Sequence, residues 1–316
     1  MGKVEFSKWN NKIKPGDKLE RIVAKSLSQR ITAVRYYLRL AAKWPYEDTE
    51  YVHQLRVWSR RSVATLQLYR ECLQKKHTTK LYKYLKKIRK AADNARNYDV
   101  LIKKYEINKD NEKTQQFLTF LHEKRKLSQT SIEKIFSKLE KGKELDKQID
   151  FLKRYLKTHE SSIVIAEAWS FDEWAKSHIQ PFVTNFFDST PSNTNDLNEL
   201  HMFRIHGKTL RYAMELTAAV FPQNYKKELY PEIEILLAKL GAINDSAVML
   251  RYLKNWIKSS TENELISAFE QFYVREEVNL NAELDDFQAW WSLQHIKSLH
   301  EKFDDMLCDK YRQAVV

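Results

Sequence analysis

The sequence predicts an all-α fold, and three observations carry that prediction. Apolar residues recur at helical spacing almost from end to end, with no credible strand alternation. The 316 residues include 5 Gly and 6 Pro, too few for a turn-rich sandwich or barrel. Charged residues make up 30%, which suits helical surfaces, and 12% aromatics argue against disorder.

Prolines and polar clusters divide the chain into elements. Pro15-Gly16 opens a first helix from about Asp17 to Lys43, and Trp44-Pro45 closes it. A second helix is expected over Asp48 to Leu73 and a lysine-rich third over Thr78 to Tyr105. Asn108, Asp110 and Asn111 break the pattern, and Asp110 is placed to cap a helix reaching Leu139. Gly142 interrupts, and a further helix runs to about His159. Phe171 to Asp188 reads as a helix with Pro181 inside, where a kink or an early end is expected. The stretch STPSNTND, residues 189–196, reads as a loop. Helices follow over Leu197 to Val220, Pro231 to Lys258 and Thr261 to Leu307.

The chain repeats itself weakly. Tyr51 to Leu68 reads YVHQLRVWSRRSVATLQL, and Glu199 to Leu216 reads ELHMFRIHGKTLRYAMEL. At an offset of 148, His53 falls on His201, Arg56 on Arg204, Val57 on Ile205 and Arg60 on Lys208. The same offset, without a gap, lays Leu81-Tyr82 on Leu229-Tyr230 and Arg96-Asn97 on Asn244-Asp245. Each match is short. An ungapped register held across both segments points to an internal duplication. Residues 1–16 then form an N-terminal extension, and 17–316 one domain of two repeats, about 17–160 and 165–316.

The repeated helix has two distinct sides. With ~100° per residue, Arg204, Lys208, Arg211 and Glu215 share a narrow stripe with His201, and Phe203, Leu210 and Met214 lie opposite. The first copy does the same with His53, Arg56 and Arg60, while Arg61 sits off to one side. Like charges one helical turn apart repel by a few tenths of a kcal/mol (~0.3) per pair. A basic stripe is ordinarily a solvated face. One present in both repeats at equal spacing calls for an anion that offsets the repulsion. Arginine and lysine suit phosphate oxygens, and histidine adds a donor that titrates near neutral pH.

The total charge agrees: 54 Lys+Arg against 42 Asp+Glu leave +12. It is unevenly spread. Residues 1–150 carry 36 basic and 18 acidic side chains, whereas 151–316 carry 18 and 24. Other chemistry finds little support. No two glycines sit close enough for a P-loop or a dinucleotide turn. Two cysteines, Cys72 and Cys308, make neither a disulfide framework nor a thiolate metal site, which points to a reducing compartment, the cytoplasm. Glu50-x-x-His53 has the spacing of a di-iron ligand pair, but the second copy carries Asn198 in place of the glutamate. No metal, no cofactor and no catalytic residue is therefore expected. The start, MGKVEFSKWNNK, has no apolar stretch of signal-peptide length, and no window reaches 18 apolar residues, so no membrane insertion is expected.

These residues carry a family resemblance. His53-x-x-Arg56-Val57-x-x-Arg60-Arg61, His201-x-x-Arg204-Ile205-x-x-Lys208-x-x-Arg211-Tyr212 and Leu240-Gly241-Ala242-Ile243-Asn244-Asp245 resemble the CHAD family, the conserved histidine α-helical domain. Arg96-Asn97-Tyr98-Asp99-Val100-Leu101 resembles that family's Arg-Asp-x-Asp-Val-Leu segment. The likeness runs from about Asp17 to the C-terminus. It implies two four-helix bundles related by a pseudo-two-fold axis, with a basic groove or cavity between them. It further implies non-enzymatic binding of inorganic polyphosphate or another polyanion, at polyphosphate granules where these form. Carried over by position, the binding residues are His53, Arg56, Arg60, Arg61, His201, Arg204, Lys208 and Arg211, and Lys83, Lys86, Lys87, Lys90 and Arg96 would widen the track. The sequence departs from the family at Val63 and Thr209, where basic residues are common, and at Asn97, which replaces an aspartate. Nucleic-acid binding, an enzyme acting on phosphate esters or polyphosphate, and a helical adaptor on storage granules are the alternative readings.

Overall fold

A computed structural model describes residues 5–10, 13–14, 17–106, 112–158 and 171–307, with backbone alone at 155–158. Among the described residues every regular element is a helix. Pro15-Gly16, Asn108, the Asp110 cap, Asn111, His159 and Cys308 lie outside the described residues. The chain forms two compact units, Met1–Asp172 and Glu173–Val316.

The first unit holds α1 (Leu19–Lys43), α2 (Glu50–Leu68), α3 (Lys75–Tyr105), α4 (Glu112–Lys141) and α5 (Glu144–Thr158). Helix α1 packs on α2, α4 and α5, and α3 packs on α2 and α4. Apolar residues three and four apart face inward: Ile22, Val23, Leu27, Ile31 and Val34 of α1 are wholly buried. One polar network crosses this core. Arg125 of α4 donates through Nε to Asp99 of α3 at 2.5 Å and through an Nη to Gln129 at 3.3 Å. Gln129 in turn donates to the Ala41 carbonyl of α1 at 2.9 Å. The N-terminal segment is tied down as well. Arg30 donates to Asn10, Asn10 to Ser26, and the Phe6 ring lies against Tyr36, Tyr37 and Trp58.

The second unit holds all but the first two residues of α6 (Phe171–Asp188), then α7 (Leu197–Thr217), α8 (Tyr230–Ser259), α9 (Asn263–Trp290) and α10 (Leu293–Leu307). A π-helical turn, Tyr225–Leu229, leads into α8. Helix α8 packs on both α7 and α9. Phe186 stacks on Phe203 at 4.9 Å and joins α6 to α7. Gly207 sits close against Leu237, which a Cβ there would meet at 3.1 Å, while Phe186 at 3.5 Å would stay in ordinary contact. Asp196 caps α7, accepting from the backbone N–H groups of Asn198 and Glu199.

Four expectations change. The second helix ends at Leu68, and a 3-10 turn, Arg70–Cys72, follows it. The third begins at Lys75. Helix α6 runs through Pro181 to Asp188, because buried Ile179, Val183 and Phe186 hold the turns on either side of the missing N–H. The long C-terminal helix is two helices. The chain breaks at Trp291, whose ring is buried against Phe203, and Ser292 accepts from the His295 N–H to start α10.

Candidate functional site

The two basic stripes lie on α2 and α7. Moved on by 148 positions, α2 spans 198–216, inside α7. Each helix buries its apolar side: Val52, Leu55 and Leu66 of α2, and Leu200, Phe203 and Leu210 of α7. That fixes the rotation of each helix and turns its cations away from the core.

In the first unit, His53, Arg56 and Arg60 are half-buried along α2. Arg56 reaches Asp93 of α3 through Nη2 at 3.0 Å, with 15% of its side chain exposed. Arg96, also on α3, faces His53 electrostatically. Burial, then the charges of Arg96, Arg56 and Arg60, push the His53 imidazole down to about 4, against an opposing pull from Glu50. Arg61 belongs to a different surface. Its guanidinium rests on the Trp58 ring at 4.8 Å, and about 80° of helix rotation separates it from His53. The α3 lysines divide too. Lys83, Lys86, Lys87 and Lys90 are all exposed. On an ideal helix Lys86, Lys90 and Lys83 lie within about 80° of Asp93, and Lys87 turns about 120° away.

In the second unit the stripe is held by a chain of contacts. His201 donates through Nδ1 to Asn244 of α8 at 3.1 Å. Asn244 donates to the neighbouring Asp245 carboxylate at 3.3 Å, and Arg204 approaches the same oxygen through Nη2 at 3.9 Å. Lys208 is half-buried on the same side of α7. Arg211 lies over the Tyr212 ring at 5.0 Å. Burial works against its charge, but Tyr212, Tyr230 and Glu215 outweigh that and hold its pKa above the ordinary value. Glu215 leaves the stripe: it is buried and accepts from the Tyr230 hydroxyl at 2.9 Å. A cavity of about 450 Å3 opens beside the start of α7, where Asn198, His201, Asn244 and Arg251 overhang Leu200 and Ile243.

The arrangement suits an anion held by several cations at once. Charge-assisted N–H···O contacts are roughly twice as strong as neutral ones. Among the described residues no three His, Cys, Asp or Glu side chains converge as metal ligands. No described helix is long and apolar enough to cross a membrane. Sequence reading missed Asp93, the carboxylate on Arg56, and Arg251 in the cavity wall. The signal for Asp93 was present: one of only two acids in a lysine-rich helix, one turn before Asn97.

Known proteins supply a final comparison. A family model for the CHAD domain matches residues 26–254. The chain is similar to the crystal structure of the CHAD domain from the plant Ricinus communis, with a TM-score of 0.71 at 16% identity, over 91% of this chain and 96% of that one. It is also similar to PptA from Streptomyces chartreusis, with a TM-score of 0.60 at 14% identity, over 87% and 99%. At these identities the likeness is one of fold. No curated protein matches the chain.

Proposed function

The chain belongs to the CHAD family, and from that premise we propose that it binds inorganic polyphosphate through the cationic stripes of α2 and α7, without turning it over. The observation that carries this reading is the pairing of the stripes. Each half sets a histidine, an arginine and a second cation along one side of a helix. In each half the arginine is about 15% exposed and faces a carboxylate from the next helix, at 3.0 Å in the first and 3.9 Å in the second. Fixed cations at successive turns favour a flexible, densely charged chain over a single compact anion. They offer no base-reading pattern, which favours polyphosphate over nucleic acid. We regard the two halves as copies of one ancestral unit, each contributing one stripe.

Titration with polyphosphates of defined length, with single-stranded DNA as the control, tests the reading. Polyphosphate should bind more tightly and displace the DNA. Neutralising seven or eight phosphates should give a log–log salt slope of about −5. An isotherm indifferent to salt, or unchanged affinity in an Arg56→Ala/Arg204→Ala double variant, would refute it. Phosphate release in the presence of divalent metals would reveal an enzyme instead.

A further inference from the structure

We propose that Asp93 is the positioning residue for Arg56, supplying from one helical turn upstream the carboxylate that Asp245 supplies to Arg204. The proposal rests on the reading that the arginines of both stripes hold polyphosphate.

At the offset of 148, Arg56 corresponds to Arg204, and α3 to the helical stretch that includes α8. The position corresponding to Asp245 is Asn97, which has no carboxylate. The position corresponding to Asp93 is Gly241, which has no side chain at all. Each half therefore keeps one acid for its arginine, but on alternative turns of the neighbouring helix. Residues 93 and 97 lie four apart and only about 40° apart in rotation, so the same face of α3 presents both. Both are ion pairs through the same guanidinium nitrogen, but of unequal closeness: the Nη2 of Arg56 lies 3.0 Å from Asp93, at hydrogen-bond distance, and the Nη2 of Arg204 lies 3.9 Å from Asp245, too far for one.

A carboxylate inside a polyanion site repels the ligand, so it needs a compensating role. The exposures suggest one. The arginine side chains are 15% and 16% exposed, while the two acids are 40% and 53% exposed. The acids stand at the solvent edge and draw otherwise enclosed guanidinium groups toward it. A guanidinium carries five N–H donors in a fixed fork, so one carboxylate oxygen can orient it and leave donors for phosphate.

The experiment uses the full chain and long-chain inorganic polyphosphate, with affinity read by fluorescence anisotropy and side-chain order by the Arg56 Nε–Hε NMR signal. Asp93→Asn should weaken binding about tenfold, close to the effect of Arg56→Ala, and broaden the Arg56 signal. Adding Asn97→Asp to Asp93→Asn should restore both readouts by returning a carboxylate one turn along. In the second half Asp245→Asn should weaken binding, and Gly241→Asp should rescue it. A Cβ at Gly241 meets no atom within 4 Å, so that substitution is sterically open. Circular-dichroism melts identify any variant that fails to fold. Asp93→Asn binding as well as or better than the parent would overturn the proposal, by making Asp93 a competitor of the ligand. So would a loss that Asn97→Asp does not rescue. If neither parent nor variants bind polyphosphate, the functional reading fails, and the Arg56 signal still decides whether Asp93 positions it.

Discussion

His53 and His201 occupy corresponding positions yet meet opposite neighbours. Asn244 offers His201 an acceptor oxygen, whereas Arg96, its counterpart, has donors alone. Burial and the guanidinium groups of Arg96, Arg56 and Arg60 therefore keep the His53 imidazole neutral down to about pH 4, with Glu50 opposing them. Two consequences follow at this single residue. The unfolded chain takes up a proton near 6.5 and the folded chain near 4. Stability that is complete above about pH 6.5 is thus lost progressively as the pH falls toward 4. A bound phosphate reverses the local field, so binding should raise the His53 pKa and draw in a proton. NMR titration of the imidazole should show a midpoint near 4 in the free protein and a higher one with polyphosphate. An identical midpoint in both states would exclude the coupling. The sequence marked this histidine as a site residue. It could not rank its protonation, because Arg96 comes from another helix.

At the scale of elements, periodicity carried most of the information. Helices α1, α2, α3, α7 and α8 lie close to their expected places because an amphipathic stripe is a local property of the chain. Two departures have tertiary causes. The break between α9 and α10 carries no glycine or proline, and burial of Trp291 sets it. The passage of α6 through Pro181 depends on packing from both sides of the proline. The Asp99–Arg125 pair is a further case, with side chains 2% and 5% exposed. Burial pushes the Asp99 carboxyl up despite the arginine, so the pair is held together at a desolvation cost. Arg125→Met should lower the stability of the first unit by about 3 kcal/mol, by stranding a buried carboxylate. Asp99→Leu/Arg125→Met should recover most of that loss. Urea unfolding would measure both, and equal stability of Arg125→Met and parent would refute the account.

For the molecule as a whole, net charge and site location separate. The first 150 residues hold the excess of positive charge, and residues 151–316 are net acidic. Yet the acidic half has the His201–Asn244–Asp245–Arg204 chain of contacts. We therefore expect Arg204→Ala/Lys208→Ala to weaken polyphosphate binding at least as much as Arg56→Ala/Arg60→Ala, by about tenfold per cation removed. Calorimetry at fixed salt checks this. A much smaller loss from the second-half pair would mean that total charge governs binding.

By itself, the sequence determined the all-helical class and the side of each helix that carries histidine and arginine. Those properties repeat every 3.6 residues and need no distant partner. Tertiary structure decided which acid meets which arginine, that Glu215 turns inward, that Arg61 rests on Trp58, and that one histidine is forced neutral. Most of these depend on the register between packed helices, and even the local Arg61–Trp58 contact depends on the ring being buried, which no periodicity within one helix contains.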